Sequence, residues 1–161
     1  MTPLVFLDID GVLVTIETVG THVQVDGHQF NPFSKEAVRQ LNRVLVETGA
    51  DIVVSSSWRC DGPRWDAMMT HFAEQGVQRR PIGRTPDLTR KLPSGVWATP
   101  QRGEEIKLWL GNDTRAFVVF DDDSDMDAVR ENFVHVKNGM FRGGLRDEHA
   151  DAAIALLRRN A

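Results

Sequence analysis

The sequence lacks several features that define whole classes of protein. Its 161 residues include one cysteine, Cys60, so no disulfide can form within the chain, and a reducing compartment is expected. No apolar run approaches the length of a membrane span, and the first ten residues lack the basic start and apolar stretch of a signal peptide. These absences predict a cytoplasmic protein with no membrane partner.

An excess of positive charge is also absent. The formal net charge is −4, which argues against a protein that coats nucleic acid non-specifically but leaves room for a site that binds a few phosphates. The five histidines show no metal-ligand spacing such as H-x3-H, which argues against a zinc site. Hydrophobic residues make up 41% and charged residues 26%, which together with the length indicates one folded domain over residues 1–161.

Short apolar segments alternate with amphipathic segments along the chain. Buried strands are predicted for the apolar runs PLVFLDID, ADIVVSSS, AFVVF and FVHV. Helices are predicted from apolar spacing and end signals over residues 34–49, 62–76, 102–111, 124–132 and 146–160. Strands that are apolar throughout and alternate with helices indicate an α/β fold with a doubly wound parallel sheet.

Acids and hydroxyls are concentrated just beyond three of the predicted strands. Asp8 and Asp10 end the first, Ser55 follows the second, and the stretch FVVFDDDSDMD, residues 117–127, gathers five aspartates after the third. Ligands of such folds bind at the carboxyl ends of parallel strands, so the three clusters are expected to converge on one edge of the sheet. Carboxylates this close repel one another, which predicts a cation among them.

Four motifs follow one another in an order known from one superfamily of enzymes. They are LDIDGVL, DIVVSSS, QRGEEI and FVVFDDDSD, and they resemble the four sequence motifs of the haloacid dehalogenase (HAD) superfamily of phosphohydrolases. D-x-D-G alone is a weak signal, but all four motifs in order, each at a strand end or helix start, form a strong one. The resemblance covers nearly the whole chain and implies a Rossmann-like core.

The resemblance implies a role for each polar residue of the first motif. Asp8 would be the nucleophile that forms an aspartyl-phosphate, which divides one difficult displacement into two easier ones. Asp10 would transfer protons, because two residues apart in an extended strand the two carboxylates lie on the same side. Gly11 would let the chain turn sharply after the pair, and it is assigned to substrate binding.

The second and third motifs would bind the phosphoryl group. Ser55 would donate a hydrogen bond to it, and it is preferred over Ser56 and Ser57 as the first hydroxyl after the apolar run. Arg102 would neutralise the phosphate and the crowded carboxylates. Lys107 competes for that role, and Arg102 is preferred because it stands at the helix start.

The implied cofactor is Mg²⁺, which prefers oxygen ligands. Asp8 and the backbone carbonyl of Asp10 would bind it together with an acid of the fourth motif. Either Asp121 or Asp122 could supply that acid, and the sequence leaves the choice open. Asp125 would support the metal-bound water or Arg102.

Three more residues after the second predicted strand are candidates for substrate binding. They are Ser56, Trp58 and Arg59. Trp58 could stack on a base or sugar, and Arg59 could bind a second phosphate. Two other roles are equally compatible with the sequence: Trp58 could belong to the core and Arg59 could pair with an acid.

Two segments between the motifs determine how open the site is. Residues 12–33 are rich in β-branched residues and turn signals, which predicts a β-hairpin flap. Residues 58–101 contain one predicted helix, a loop with four prolines and a short strand near RPIG. Caps of HAD enzymes are inserted at these two places, and neither segment is long enough for a separate folded cap. An open site with a minimal cap is expected.

The expected function is Mg²⁺-dependent hydrolysis of a phosphomonoester. Two alternatives are phosphoryl transfer to another acceptor, as in phosphomutases, and a non-catalytic module that binds phosphate or nucleic acid. The chain also resembles small uncharacterised bacterial HAD proteins, some linked to RNA-repair polynucleotide phosphatases, which implies a nucleic acid end as substrate. Arg79, Arg80, Arg84, Arg90 and Lys91 would form a basic rim or a solvated loop. No oligomeric state is predicted.

Overall fold

The structure is a computed structural model that describes residues 1–59 and 62–160, so Cys60 lies outside the described residues. In chain order its strands are β1 (Leu4–Leu7), β2 (Val23–Val25), β3 (His28–Phe30), β4 (Asp51–Val54), β5 (Gly83–Arg84), β6 (Arg90–Lys91), β7 (Trp97–Ala98), β8 (Phe117–Asp121) and β9 (Phe133–His135). Its α-helices are α1 (Lys35–Thr48), α2 (Pro63–Glu74), α3 (Arg102–Leu110), α4 (Gly139–Arg142) and α5 (Asp147–Arg159), and a 3-10 helix spans Asp127–Asn132.

Five strands form a parallel sheet in the order β5–β4–β1–β8–β9. The central strand β1 is fully buried, because alternate side chains enter two different apolar clusters. Leu4 and Phe6 pack in one cluster with Ile106 of α3, whereas Val5 and Leu7 pack in the other, to which α1, α2 and α5 contribute. Helices therefore cover both faces of the sheet, and the predicted doubly wound parallel sheet is confirmed.

The register of the central strands places the residues that follow them side by side. The backbone N–H of Asp8 donates to the carbonyl of Phe120 at 2.9 Å, and the N–H of Ser55 donates to the carbonyl of Leu7 at 2.8 Å. Asp121 is the last residue of β8. Parallel strands end at the same edge of the sheet, so these three polar residues meet there.

The ends of α1 follow from local sequence. The Ser34 hydroxyl accepts a hydrogen bond from the N–H of Ala37, and Gly49 ends the helix in the left-handed conformation with φ of 69°. Both signals are visible in the sequence, and the predicted helix is found. None of the helices within residues 1–59 and 62–160 combines the length and apolar character needed to cross a membrane.

The two segments between the motifs are small. The first contains the hairpin β2–β3, which turns at Asp26 and Gly27, both with positive φ. In the second, α2 buries apolar side chains in the core, and β5 joins the edge of the main sheet. The stretch 86–101 contributes no strand to the main sheet and contains the separate antiparallel hairpin β6–β7.

Candidate active site

Three carboxylates meet at the carboxyl edge of the sheet. Asp8 follows β1, Asp121 ends β8, and Asp122 comes directly after it. One carboxylate oxygen of each lies within 4.8 Å of the others. The predicted convergence of the first and fourth motifs is present in the structure, and both aspartates proposed as alternatives lie close to Asp8.

Burial makes this cluster electrostatically costly. It raises the pKa of Asp8 to about 7, against the lowering effects of Arg102 and of a hydrogen bond from Ser56. Burial, and next the charge of Asp8, raise the pKa of Asp121 to about 8. Burial and then the charge of Asp123 raise the pKa of Asp122. The protein without a bound cation therefore holds protons at this edge near neutral pH.

The oxygen donors fit a hard divalent cation. The set contains carboxylate oxygens only, which is the chemistry that Mg²⁺ prefers. Asp121 Oδ1 accepts a hydrogen bond from the N–H of Asp123 at 2.9 Å, whereas the buried Oδ2 has no hydrogen-bond partner among the described residues. A cation would provide that missing partner. Binding of the cation by the backbone carbonyl of Asp10 stays a prediction.

Gly11 allows the first motif to approach the fourth. Its φ is 76°, and a Cβ atom at this position would overlap the carboxylate of Asp122. Gly139, at the start of α4, is packed in the same way, because a Cβ atom there would overlap the carbonyl oxygen of Gly11. Glycine at position 11 thus sets the backbone turn and the close contact with Asp122.

Asp10 is held by a tryptophan. Trp58 Nε1 donates to Asp10 Oδ2 at 2.9 Å. The ring of Trp58 also packs with Phe30 at 5.7 Å and with the buried His71 at 6.4 Å between ring centres. These contacts correspond to the packing alternative for Trp58, and they orient the Asp10 carboxylate that would transfer protons.

The serine run presents a different hydroxyl to Asp8 than the one preferred from the sequence. Ser56 is buried, and its hydroxyl lies close enough to Asp8 to lower the pKa of that carboxyl. Its Oγ accepts a hydrogen bond from the N–H of Trp58 at 3.3 Å. Ser55 is also buried, but its Oγ has no hydrogen-bond partner in the described part of the chain. Ser57 is exposed. The phosphate-binding role of Ser55 stays a prediction, and Ser56 is the serine that affects the pKa of Asp8.

Arg102 faces the acidic cluster from the start of α3. Asp125 Oδ2 accepts from the backbone N–H of Arg102 at 2.8 Å, and the Asp125 carbonyl accepts from the N–H of Gly103 at 3.1 Å. Asp125 thereby anchors the first turn of α3 and, through it, positions the Arg102 guanidinium, whose charge lowers the pKa of Asp8. Lys107 is exposed one turn further along.

Comparison with known protein families agrees with this geometry. A family model described as the HAD domain in Swiss Army Knife RNA repair proteins matches residues 4–150. The chain belongs to this family. The match spans all four motifs, which confirms the resemblance predicted from the sequence and supports a phosphohydrolase of the HAD type as the general class. A search of curated proteins found no match.

This HAD domain also contains a buried ion pair whose acidic partner the sequence motifs do not identify. Arg59 donates to Glu105 Oε1 at 2.9 Å, and the Glu105 side chain is 3% exposed. The same oxygen accepts from the N–H of Leu88 at 3.0 Å. Arg59 also lies 3.5 Å from the exposed Asp87. The Arg59 guanidinium is thus paired with acids, as in one of its two predicted alternatives.

The signal for Glu105 was present but ambiguous. Glu104 and Glu105 both stand in the first turn of α3, where acids are favoured by the helix dipole whatever their further role. Only the fold, which brings Arg59 beside α3, shows that the second of the two acids is buried. The site therefore combines an acidic cluster with two arginines that share Glu105, because Arg102 Nε lies 3.9 Å from its other oxygen.

Proposed function

We propose that the protein is a Mg²⁺-dependent phosphatase that hydrolyses a phosphomonoester through an aspartyl-phosphate on Asp8. The observation that carries this proposal is the cluster of Asp8, Asp121 and Asp122 beside Arg102 at the carboxyl edge of the sheet. A buried nucleophilic carboxylate, a hard-cation site and a guanidinium within electrostatic reach are the groups that phosphoryl transfer requires.

The three clustered carboxylates would hold the metal. Bound there, Mg²⁺ would neutralise the carboxylates and the negative charge of the substrate phosphate. The unpartnered Oδ2 of Asp121 supports this assignment, as does the raised pKa of each of the three acids. Loss of protons from these groups would accompany metal binding.

The proposed reaction has two steps, both at the Asp8 carboxylate. In the first, an Asp8 oxygen bonds to phosphorus while the bond from phosphorus to the leaving oxygen breaks, and Asp10 gives that oxygen its proton. In the second, water attacks phosphorus, Asp10 takes a proton from the water, and the bond from phosphorus to the Asp8 oxygen breaks. Phosphate leaves, and both acids return to their starting states.

The neighbouring residues support these steps by position and charge. The Trp58 N–H fixes the Asp10 carboxylate that moves the proton. Arg102 and the Ser56 hydroxyl lie beside Asp8, where they would stabilise negative charge on the transferring phosphoryl group. One guanidinium nitrogen of Arg102 is buried without a hydrogen-bond partner among the described residues, so it is available to a phosphoryl oxygen.

The proposed substrate is the terminal phosphate of a nucleic acid. The family description refers to RNA repair proteins, and the described residues contain no separate cap domain that would exclude a polymer. Residues 76–103 provide six basic side chains and one acid, in a chain with 19 basic and 23 acidic residues in total. Positive charge is therefore concentrated in the segment next to the site, where phosphates of a polymer would be attracted.

The decisive experiment measures phosphate release from an aryl phosphate, nucleotides, sugar phosphates, and RNA with a 3′- or 5′-phosphate. Each substrate is tested with Mg²⁺ and with chelator, using wild type, Asp8→Asn and the matched control Asp127→Asn. Asp127 lies in the same acidic run but is exposed and pairs with Arg130. Release that needs Mg²⁺, is lost in Asp8→Asn and is retained in Asp127→Asn is expected, with the highest kcat/KM on RNA ends.

Two outcomes would contradict the proposal. Release that persists in Asp8→Asn would exclude the covalent intermediate on this residue. Binding of Mg²⁺ without turnover of any substrate would favour a phosphate-binding module over an enzyme.

A further inference from the structure

The hairpin β6–β7 exposes large apolar side chains. Trp97 is 64% exposed, Val96 61% and Leu92 36%. The hairpin is closed by a hydrogen bond from the N–H of Leu92 to the carbonyl of Val96 at 2.8 Å. Single exposed apolar residues are common, but the apolar patch of this short hairpin covers both of its faces, as interaction surfaces often do. Trp97 lies on one face, and Leu92 and Val96, the next pair of the ladder, lie on the other.

The hairpin combines this patch with unpaired positive charge. Lys91 lies directly opposite Trp97 in the antiparallel register, so the two side chains are on the same face. Arg90 precedes Lys91 and lies on the opposite face of the hairpin. Among the described residues neither Arg90 nor Lys91 forms an ion pair, and no acid occurs in residues 88–103. An anionic ligand with apolar faces would complement this surface.

Both stems of the hairpin are fixed at the candidate active site. On the incoming side, Leu88 donates its N–H to Glu105, which holds Arg59. On the outgoing side, the chain enters α3 at Arg102, whose N–H is bound by Asp125. The hairpin therefore starts and ends at the edge of the sheet that carries the acidic cluster.

We infer that the β6–β7 hairpin binds the single-stranded nucleic acid whose terminal phosphate enters the site. Trp97 stacks on a base, and Lys91 and Arg90 contact backbone phosphates. Stacking on an exposed aromatic ring beside cations is the usual way in which proteins hold single strands without reading their sequence. The inference rests on the proposed function for the identity of the substrate, and it assigns the contact beyond the reacting phosphate to this hairpin.

Equilibrium binding tests this inference without interference from turnover. The full chain carrying Asp8→Asn is titrated against short fluorescent single-stranded RNA with a 3′- or 5′-phosphate over a range of salt concentrations. Adding Trp97→Ala is expected to weaken binding about 5- to 100-fold, because one base loses its stacking contact. The salt dependence should be unchanged. Adding Arg90→Ala with Lys91→Ala is expected to make the slope of log K against log salt shallower by about 1.4, since each contact contributes about 0.7.

A second double variant controls for the loss of net charge. Arg158→Ala with Arg159→Ala removes two exposed basic side chains from the end of α5, far along the chain from the hairpin. It should change neither the affinity nor the salt slope. An equal effect of the two double variants, or unchanged binding in Trp97→Ala, would overturn the inference. So would a dimer that dissociates in Trp97→Ala, because a second copy would then cover the patch.

Failure of this inference is distinguishable from failure of the proposed function. Hydrolysis of the aryl phosphate tests the reaction alone, since that substrate is too small to need the hairpin. If the protein hydrolyses the aryl phosphate but the hairpin variants bind RNA as tightly as the parent, the proposed reaction is supported and the inference about the hairpin is wrong. If RNA binding depends on the hairpin but no substrate is hydrolysed, the inference about the hairpin is supported and the proposed reaction is wrong.

Discussion

Gly11 is the residue at which backbone conformation and site geometry are most tightly linked. Its positive φ permits the turn after Asp10, and its missing side chain leaves space for the Asp122 carboxylate. Gly20 provides a matched comparison, because its φ of 81° is similar but a Cβ atom there would meet nothing within 4 Å. The two glycines therefore separate the cost of the conformation from the cost of crowding the acidic cluster.

We expect Mg²⁺ to stabilise wild type against thermal unfolding, and we expect Gly11→Ala to lose this stabilisation because the new methyl group displaces Asp122. Gly20→Ala should lower the free energy of unfolding by about 1–2 kcal/mol, the cost of the left-handed conformation, and keep the full response to Mg²⁺. Differential scanning calorimetry with and without Mg²⁺ measures both. If the two variants respond equally to Mg²⁺, Gly11 is only a turn residue.

Trp58 is a positioning residue for Asp10 in the proposed reaction. Trp58→Phe removes the N–H that Asp10 accepts but keeps an aromatic ring against Phe30 and His71. We expect kcat to fall about tenfold or more on an alkyl phosphate, whose leaving oxygen needs a proton, and to change little on an aryl phosphate.

Trp109→Phe is the control, because Trp109 packs against Phe6 on the other face of the sheet. It should affect both substrates alike. Equal losses on alkyl and aryl phosphate in Trp58→Phe would mean that the tryptophan supports the fold and not the proton transfer.

The serine run shows what a linear motif can and cannot predict at this scale. The sequence places a hydroxyl beside the Asp8 strand, since an apolar run ends there. It cannot tell which of Ser55 and Ser56 turns toward Asp8, because side-chain direction alternates along an extended strand and β4 ends at Val54, just before the serines.

At the scale of elements, local signals predict long helices better than short strands. Ser34 and Gly49 bound α1 in the sequence as in the structure. The strands β6 and β7 have two residues each, too few for a period of two to be visible, so the sequence of this proline-containing stretch predicts a loop. The helix predicted over 124–132 is a 3-10 helix with a kink at Val129, and α4 was not predicted because glycines surround it.

Glu105 connects three elements that are separate in sequence. It lies on α3, pairs with Arg59 after β4 and binds the stem of the hairpin at Leu88. We expect Glu105→Gln to lower the free energy of unfolding by about 2–3 kcal/mol, because Arg59 is left largely buried without its main partner. Chemical denaturation measures the change.

Glu47→Gln is the matched control for this substitution. Glu47 also pairs with two arginines, Arg43 and Arg158, but at the surface, where such pairs contribute about 1 kcal/mol or less. A loss in Glu105→Gln no greater than that of the control would show that the ion pair is solvated in solution and does not join the three elements.

At the scale of the whole molecule, the sheet brings distant motifs together. The rule that ligands bind at the carboxyl ends of parallel strands was sufficient to predict that Asp8, Ser55 and Asp121 would meet. It could not predict how strongly the acids would affect each other, since that depends on burial by every surrounding element. Their raised pKa values follow from the complete fold, and we expect them to make the stability of the protein depend on pH. If the proposed metal binds, stability should depend on it as well.

The sign of this dependence can be derived from the shifts. In the metal-free protein Asp8 and Asp121 have pKa values of about 7 and 8, above their ordinary value of 3.8. The folded state therefore binds more protons than the unfolded state between about pH 4 and 8, and the contribution of these acids to stability is lost as the pH rises through that range. Burial lowers the pKa values of His71 and His149, which gives a contribution of opposite sign around pH 6.5.

Comparison of wild type with Asp121→Asn cancels the histidine contribution, because both proteins contain the same histidines. Without metal, the unfolding temperature of Asp121→Asn relative to that of wild type should rise by roughly 5 °C or more between about pH 5 and about pH 8.5, since one pKa unit corresponds to about 1.4 kcal/mol. Saturating Mg²⁺ should reverse the order at the higher pH, because only wild type has the full set of ligands.

Asp127→Asn is the control, and its unfolding temperature should equal that of wild type at every pH, with and without Mg²⁺. A constant difference between wild type and Asp121→Asn at all pH values would show that the acidic cluster is solvated, and that neither proton nor metal is needed to hold this edge of the sheet together.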